Sequence, residues 1–216
     1  FSFTGFSLVD VFSSFVFLIT IYSFSSSPKN SNNEMAGGDS LDIKIGQMIM
    51  MGIHDRKFLS ENDTLIDELR YKIGGIILFE KNVAPENSFE KLKKLIADLK
   101  TKSTTPLFMA IDEEGGKVHR LKEKYGFVSM PSAEYLGKLS STDSTFFYAE
   151  RLAKELFELG FNLNFAPDVD VAINAENPII AKAKRSYSSD ANLVSDHALA
   201  FIQAHQKHKI INTLKH

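Results

Sequence analysis

From residue 41 onward, short apolar runs alternate with longer segments whose apolar side chains recur at helical spacing. The runs at 47–53, 74–79, 107–111, 162–167 and 210–214 read as strands. Between them, 63–72, 87–102, 145–159 and 191–209 read as helices. The second of these carries Phe89, Leu92, Leu95, Ile96 and Leu99 on one face, with lysines on the other. The third repeats the pattern through Phe146, Ala149, Leu152, Ala153, Leu156 and Leu159, with Asp143 placed to cap it and Gly160 to end it. Strand and helix in strict turn predict an α/β fold, a parallel sheet covered by helices.

A chain of 216 residues has room for one substantial core. Its net charge is −2, with Lys and Arg interspersed among Asp and Glu, and no basic stripe points to a nucleic-acid partner. Cysteine is absent, which excludes disulfides, thiolate zinc sites and a cysteine nucleophile. Residues 6–24 are nearly all apolar or Ser, with Asp10 the one charge, long enough for a bilayer span or the apolar part of an export signal. Residues 1–24 are therefore expected to form a leader or anchor, with export to the cell envelope or beyond. The alternative is a cytoplasmic protein starting near Met35. Residues 25–40, rich in Ser, Asn and Gly, read as a linker ahead of a domain at 41–216.

Ligands of parallel α/β proteins bind at the carboxyl ends of the strands, so the chemistry is expected there. The third strand ends in Asp112-Glu113-Glu114-Gly115-Gly116, with Arg120 close behind. The second is followed by Glu80-Lys81-Asn82 and the fourth by Asp168-Val169-Asp170. Lys184-Arg185 lies on the next loop, and Lys215-His216 follows the fifth. Carboxylates alternating with cations around one rim suit a neutral polyol held by charge-assisted hydrogen bonds. Metal binding is not expected, because there is no His-x-x-x-His pair or dense Asp cluster, and His205 and His208 are expected on a solvated helix face. Neither a Gly-rich phosphate loop nor a Gly-x-Ser-x-Gly turn occurs. Nothing in the sequence calls for a cofactor.

These same segments resemble glycoside hydrolase family 3, particularly its β-N-acetylglucosaminidase (β-hexosaminidase) branch. Asp112-Glu-Glu-Gly-Gly-Lys-Val-His-Arg120 is similar to that family's Asp-x-Glu-Gly-Gly-Arg-Val-x-Arg segment. Ile45-Gly-Gln-Met48, Gly74-Gly-Ile-Ile-Leu-Phe79, Asn164-Phe-Ala-Pro-Asp-Val-Asp170 and Lys184-Arg-Ser-Tyr187 follow in the family's order. Thr213-Leu-Lys-His216 looks like the start of its Lys-His-Phe-Pro-Gly-His-Gly signature. Two positions depart from the pattern: Lys117 stands for the usual Arg, and Asp168 for a usually apolar residue.

The resemblance implies a (β/α)8 TIM-barrel fold, here its first five strands, and hydrolysis of a terminal β-linked N-acetylhexosamine with retention of configuration. A β-glucosidase and a non-catalytic sugar-binding remnant are the alternatives. It implies that Asp112, Arg120, Arg185, Lys215 and His216 bind substrate, with Asp170 orienting them from behind. The family's acid/base histidine and nucleophilic aspartate would fall after His216, so no residue here is expected to be catalytic. Glu113 and Glu114 are expected to be acidic turn residues without direct sugar contact.

Overall fold

The computed structural model describes residues 41–61, 65, 69 and 73–216. The expected leader and linker lie outside the described residues, as does most of the helix expected at 63–72, of which Leu65 and Leu69 are helical and fully buried. No described helix is long and apolar enough to cross a membrane.

Five parallel strands form the main sheet: β1 (Met50–Gly52), β2 (Gly75–Leu78), β3 (Phe108–Ile111), β6 (Leu163–Asn164) and β7 (Ile211–Asn212), each hydrogen-bonded to the next in that order. Between β3 and β6 in the chain, β4 (Glu113–Gly115) and β5 (Val118–His119) make a separate antiparallel hairpin. A parallel sheet whose strands neighbour one another in chain order, with helices between, is an arc of a (β/α)8-type barrel. The strands are shorter than the apolar runs, because the flanking residues turn toward the rim or into helix contacts. The run at 47–53, for example, is divided between the end of α1 (Leu41–Gln47) and β1. That first helix was not expected from the sequence.

The helices cover the sheet with the faces that the spacing predicts. Helix α2 (Ser88–Lys102) buries Leu92, Leu95, Ile96 and Leu99. Helix α4 (Thr142–Leu159) buries Ala149, Leu152, Ala153, Leu156 and Leu159. Each fully buried leucine contributes roughly 1.5–3 kcal/mol, so these two stripes alone fix both helices against the strands. The cap of α4 differs from expectation. Ser141 rather than Asp143 is the N-cap, its hydroxyl accepting from the Ser144 backbone N–H, and Asp143 sits inside the first turn facing the helix dipole. Gly160 ends α4 in the left-handed conformation, as expected (φ 100°).

A short helix, α3 (Ala133–Lys138), precedes α4, and α5 (Ala191–Lys207) packs along α4. Helix α5 starts from Asp190, which accepts from the Asn192 N–H. It stops two residues short of the expected 209. His205 is not on a solvated face: it is fully buried, stacked on Phe201, and within 3.1 Å of the Asn164 amide on β6. Burial pushes its imidazole down to about 4, so it is a neutral core residue that holds α5 to the sheet. His208, on the same helix end, is partly exposed.

Candidate functional site

The carboxyl ends of β3, β6 and β7 open onto one rim. Strand β3 delivers Asp112, while the residues after β6 and β7 meet in a parallel bridge between Asp168 and Lys215. The loop returning from β6 brings Arg185 to the same place. Their side chains form a row of alternating sign. Arg120 Nη2 lies 3.4 Å from Asp112 Oδ2, and Asp112 Oδ1 lies 2.9 Å from Lys215 Nζ. Lys215 Nζ is 2.6 Å from Glu114 Oε1. Glu114 takes Arg185 in a two-pronged grip, 2.8 Å from Nε and 2.9 Å from Nη2. Arg185 Nη2 continues to Asp168 Oδ2 at 3.1 Å and His216 Nε2 at 3.1 Å, and His216 Nδ1 ends the row on Asp170 at 2.8 Å.

These partners assign the hydrogens. A guanidinium can only donate, so His216 Nε2 accepts from Arg185, and the ring hydrogen sits on Nδ1, donated to Asp170. Arg185 Nη2 has two hydrogens, and they go to Glu114 and His216. Asp168 Oδ2 is then attracted by charge but receives no hydrogen bond, and it is buried without a hydrogen-bond partner. Burial pushes the Asp168 carboxyl up to about 7, a rise that Arg185 and the Asp170 N–H oppose and Glu114 reinforces. With four carboxylates facing three fixed cations, the row has one negative charge in excess until a proton joins it.

The hairpin explains how three consecutive acidic residues divide their work. Side chains alternate along extended chain, so Asp112 and Glu114 point to the rim and share the Lys215 ammonium, while Glu113 points the other way. Glu113 is fully buried, accepts the backbone N–H groups of Arg120 (2.6 Å) and Leu121 (2.7 Å), and pairs with His119. Burial lowers the His119 pKa, but the Glu113 carboxylate outweighs it and the net direction is up. Gly115 (φ 101°) and Gly116 (φ 57°) turn the chain where no side chain fits. A Cβ on Gly115 would lie 2.3 Å from the Pro131 carbonyl oxygen, and one on Gly116 would lie 2.7 Å from Ser132 Cβ.

All five expected binding residues, and Asp170 behind them, therefore belong to one row. Other rim residues do not join it. Glu80 pairs with Lys124 at 2.8 Å, and Asn82 is buried, its amide bonding the carbonyls of His54 and Arg56. Lys184 is exposed and lies 4.0 Å from Glu134. The expectation that Glu114 is a bland acidic turn residue is overturned: it is a buried carboxylate at the centre of the row. The signal that could have found it is the Asp-x-Glu spacing, which puts both carboxylates on one face of extended chain.

One grouping bears on metal binding. Asp168, Asp170 and His216 can bring ligand atoms within 4.8 Å of one another, so the sequence reading that no such cluster exists does not hold in three dimensions. Arg185 already lies 3.1 Å from both Asp168 and His216, placing a fixed cation where a metal would need to enter. These donors fit the guanidinium better than a divalent ion.

Parallel strands ending in a polar, ion-paired rim define a barrel-type domain, and in such domains ligands bind at the carboxyl face. Residues 40–216 match the glycosyl hydrolase family 3 N-terminal domain, and the chain belongs to that family. It is 37% identical over 158 residues to a β-hexosaminidase A of Pseudoalteromonas piscicida, covering 68% of this chain and 25% of that protein. Against a β-hexosaminidase of Haemophilus influenzae it is 32% identical over 148 residues, covering 67% and 40%. Among solved structures, a family 3 β-N-acetylglucosaminidase from Paenibacillus superposes with a TM-score of 0.75 at 32% identity, over 82% of this chain and 33% of that one. The NagZ structure from Neisseria gonorrhoeae in complex with zinc ion gives 0.65 at 29% identity, over 78% and 50%. The chain thus spans between a quarter and a half of the length of these relatives.

Proposed function

We propose that the polypeptide carrying this chain is a retaining glycoside hydrolase that removes terminal β-linked N-acetylhexosamine, N-acetylglucosamine above all, from glycans or peptidoglycan fragments. The observation that supports this most is the Asp112 carboxylate, held at the tip of β3 between Lys215 and Arg120. Its oxygens keep lone pairs for sugar hydroxyls, and hydrogen bonds to a carboxylate are charge-assisted. Lys215 has three N–H donors, of which Asp112 takes one while Glu114 holds the ammonium by charge, leaving donors for a hydroxyl or an N-acetyl oxygen. Arg120 also faces the Phe79 ring, 5.8 Å from its centroid, which limits how far its guanidinium can swing from Asp112.

In this reading residues 41–216 bind and orient the sugar ring, and the proton-transfer and nucleophilic groups come from elsewhere in the polypeptide. Inside the row Asp112, Lys215, Glu114 and Arg185 each have two partners, so one contact can open toward a hydroxyl without leaving a buried charge alone. The test is hydrolysis by the full reading frame that contains this chain. It should release 4-nitrophenol from the β-N-acetylglucosaminide with higher kcat/KM than from the β-glucoside. Equal or reversed values would move the protein to a β-glucosidase assignment, and sugar binding without turnover would make it a binding module.

A further inference from the structure

Glu114 has a part in this site that the family's sugar-contact residues do not describe. Its side chain is 4% exposed, and both of its oxygens are occupied: Oε2 by Arg185 Nε, and Oε1 by Arg185 Nη2 and Lys215 Nζ together. A carboxylate so buried and so engaged presents almost no surface to a sugar. It does control two groups that have donors to offer. The two-pronged contact fixes the plane and rotation of the Arg185 guanidinium, which a single hydrogen bond would leave free to turn. The same Oε1 holds the Lys215 ammonium close beside that guanidinium, two like charges that would otherwise repel.

The backbone beneath Glu114 is fixed as tightly as its side chain. It sits in β4, one residue before the glycine pair packed against residues 130–132, where the Gly116 N–H bonds to the Met130 carbonyl at 3.0 Å. Its placement is therefore set by the hairpin, whereas Arg185 and Lys215 arrive on separate, distant parts of the chain. We infer that Glu114 is the positioning residue of the site, fixing Arg185 and Lys215 in the geometry in which they meet the sugar. The inference rests on the proposed reading of the rim as a sugar site.

The test compares Glu114→Gln with Glu114→Asp in the full-length protein, alone and in an Arg185→Met/Lys215→Met background. Glu114→Gln should lower kcat/KM for the best glycoside substrate by roughly ten- to a hundred-fold, the range expected when a hydrogen bond between charged groups is lost. Glu114→Asp, which keeps the charge but cannot reach both cations, should fold as the parent does and lose at least about fivefold. In the Met/Met background either change should cost less than about twofold, since the groups through which Glu114 acts are gone. An undiminished loss in that background would overturn the inference, as would parental activity in Glu114→Asp.

A second readout needs no substrate. The Arg185 side-chain Nε–H should give an exchange-protected nitrogen-15 NMR signal in the parent and lose its protection in Glu114→Asp, with core methyl signals unchanged. Retained protection would overturn the inference. Failure of the parent to hydrolyse any N-acetylhexosaminide would sink the proposed function while leaving this NMR result to decide the role of Glu114.

Discussion

Asp112→Asn changes no shape and removes one charge, so its cost can be worked from the contacts. Asp112 Oδ1 meets Lys215 at 2.9 Å and Oδ2 meets Arg120 at 3.4 Å. Lys215 still has Glu114 at 2.6 Å after the change, so no buried cation is orphaned and the fold should lose no more than about 1–2 kcal/mol. Binding is affected more. Each hydrogen bond from a sugar hydroxyl to an ionised carboxylate contributes about 1.5–3 kcal/mol, against about 1 kcal/mol for a neutral acceptor. Losing that difference at one or two hydroxyls should lower kcat/KM by roughly ten- to over a hundred-fold. Contacts that tighten as the ring distorts act on the transition state, so much of the loss should fall on kcat. The assay is steady-state release of 4-nitrophenol by the full-length protein, with a thermal melt on the same samples. Glu176→Gln, on an exposed loop where its carboxylate meets Lys182, is the matched control and should change neither quantity. Activity of Asp112→Asn within twofold of the parent, with the melt unchanged, would refute the assignment of Asp112 to the sugar site.

Three further outcomes follow from the geometry. Asp168 has a folded pKa of about 7 against an ordinary value of 3.8, so the folded state holds this proton more tightly than the unfolded chain does. Stability contributed by that proton should fall as pH rises from about 4 to 7 and level off above; Asp168→Asn should flatten this part of a Tm–pH curve, and identical slopes would contradict the buried, unsatisfied Oδ2. Glu113→Gln leaves an amide oxygen for the two backbone N–H groups but removes the charge that strengthens both bonds and the contact with His119, costing about 3 kcal/mol. That is a drop of roughly 6–12 °C in Tm for a domain of this size, measured by calorimetry; a drop under 2 °C would contradict it. Gly115→Ala puts a Cβ 2.3 Å from the Pro131 carbonyl at φ 101°, and should both lower Tm and cut activity, because Glu114 is displaced with the hairpin. A stable, fully active Gly115→Ala protein would show that the hairpin yields more easily than its packing implies.

The parts of the molecule visible in the sequence are those governed by local patterns. Apolar runs and helical stripes marked the strands and helices because burial repeats with the period of each element, as with Leu92, Leu95, Ile96 and Leu99 on α2. Strand ends marked the rim for the same reason. What the sequence concealed depends on pairing across distance. Nothing near Glu114 announces Arg185, which is 71 residues away, or the Lys215 ammonium beyond the last strand. His205 looked like a surface residue beside His208, yet its neighbour four residues back is Phe201, and that i, i+4 step places it on the buried stripe. The Asp168–Asp170–His216 grouping is equally silent in one dimension, because a turn after β6 and the chain beyond β7 bring it together.

The central claim is that the ionic row at the ends of β3, β6 and β7 is where a sugar binds. It is tested most directly by a crystal structure of the full-length protein soaked with N-acetylglucosamine. The account predicts ring hydroxyls within about 3 Å of Asp112 and Lys215, hydrogen-bond distance for charged groups, with Glu114 still gripping Arg185 and not touching the sugar. A sugar bound elsewhere, with the row closed and unchanged, would contradict it.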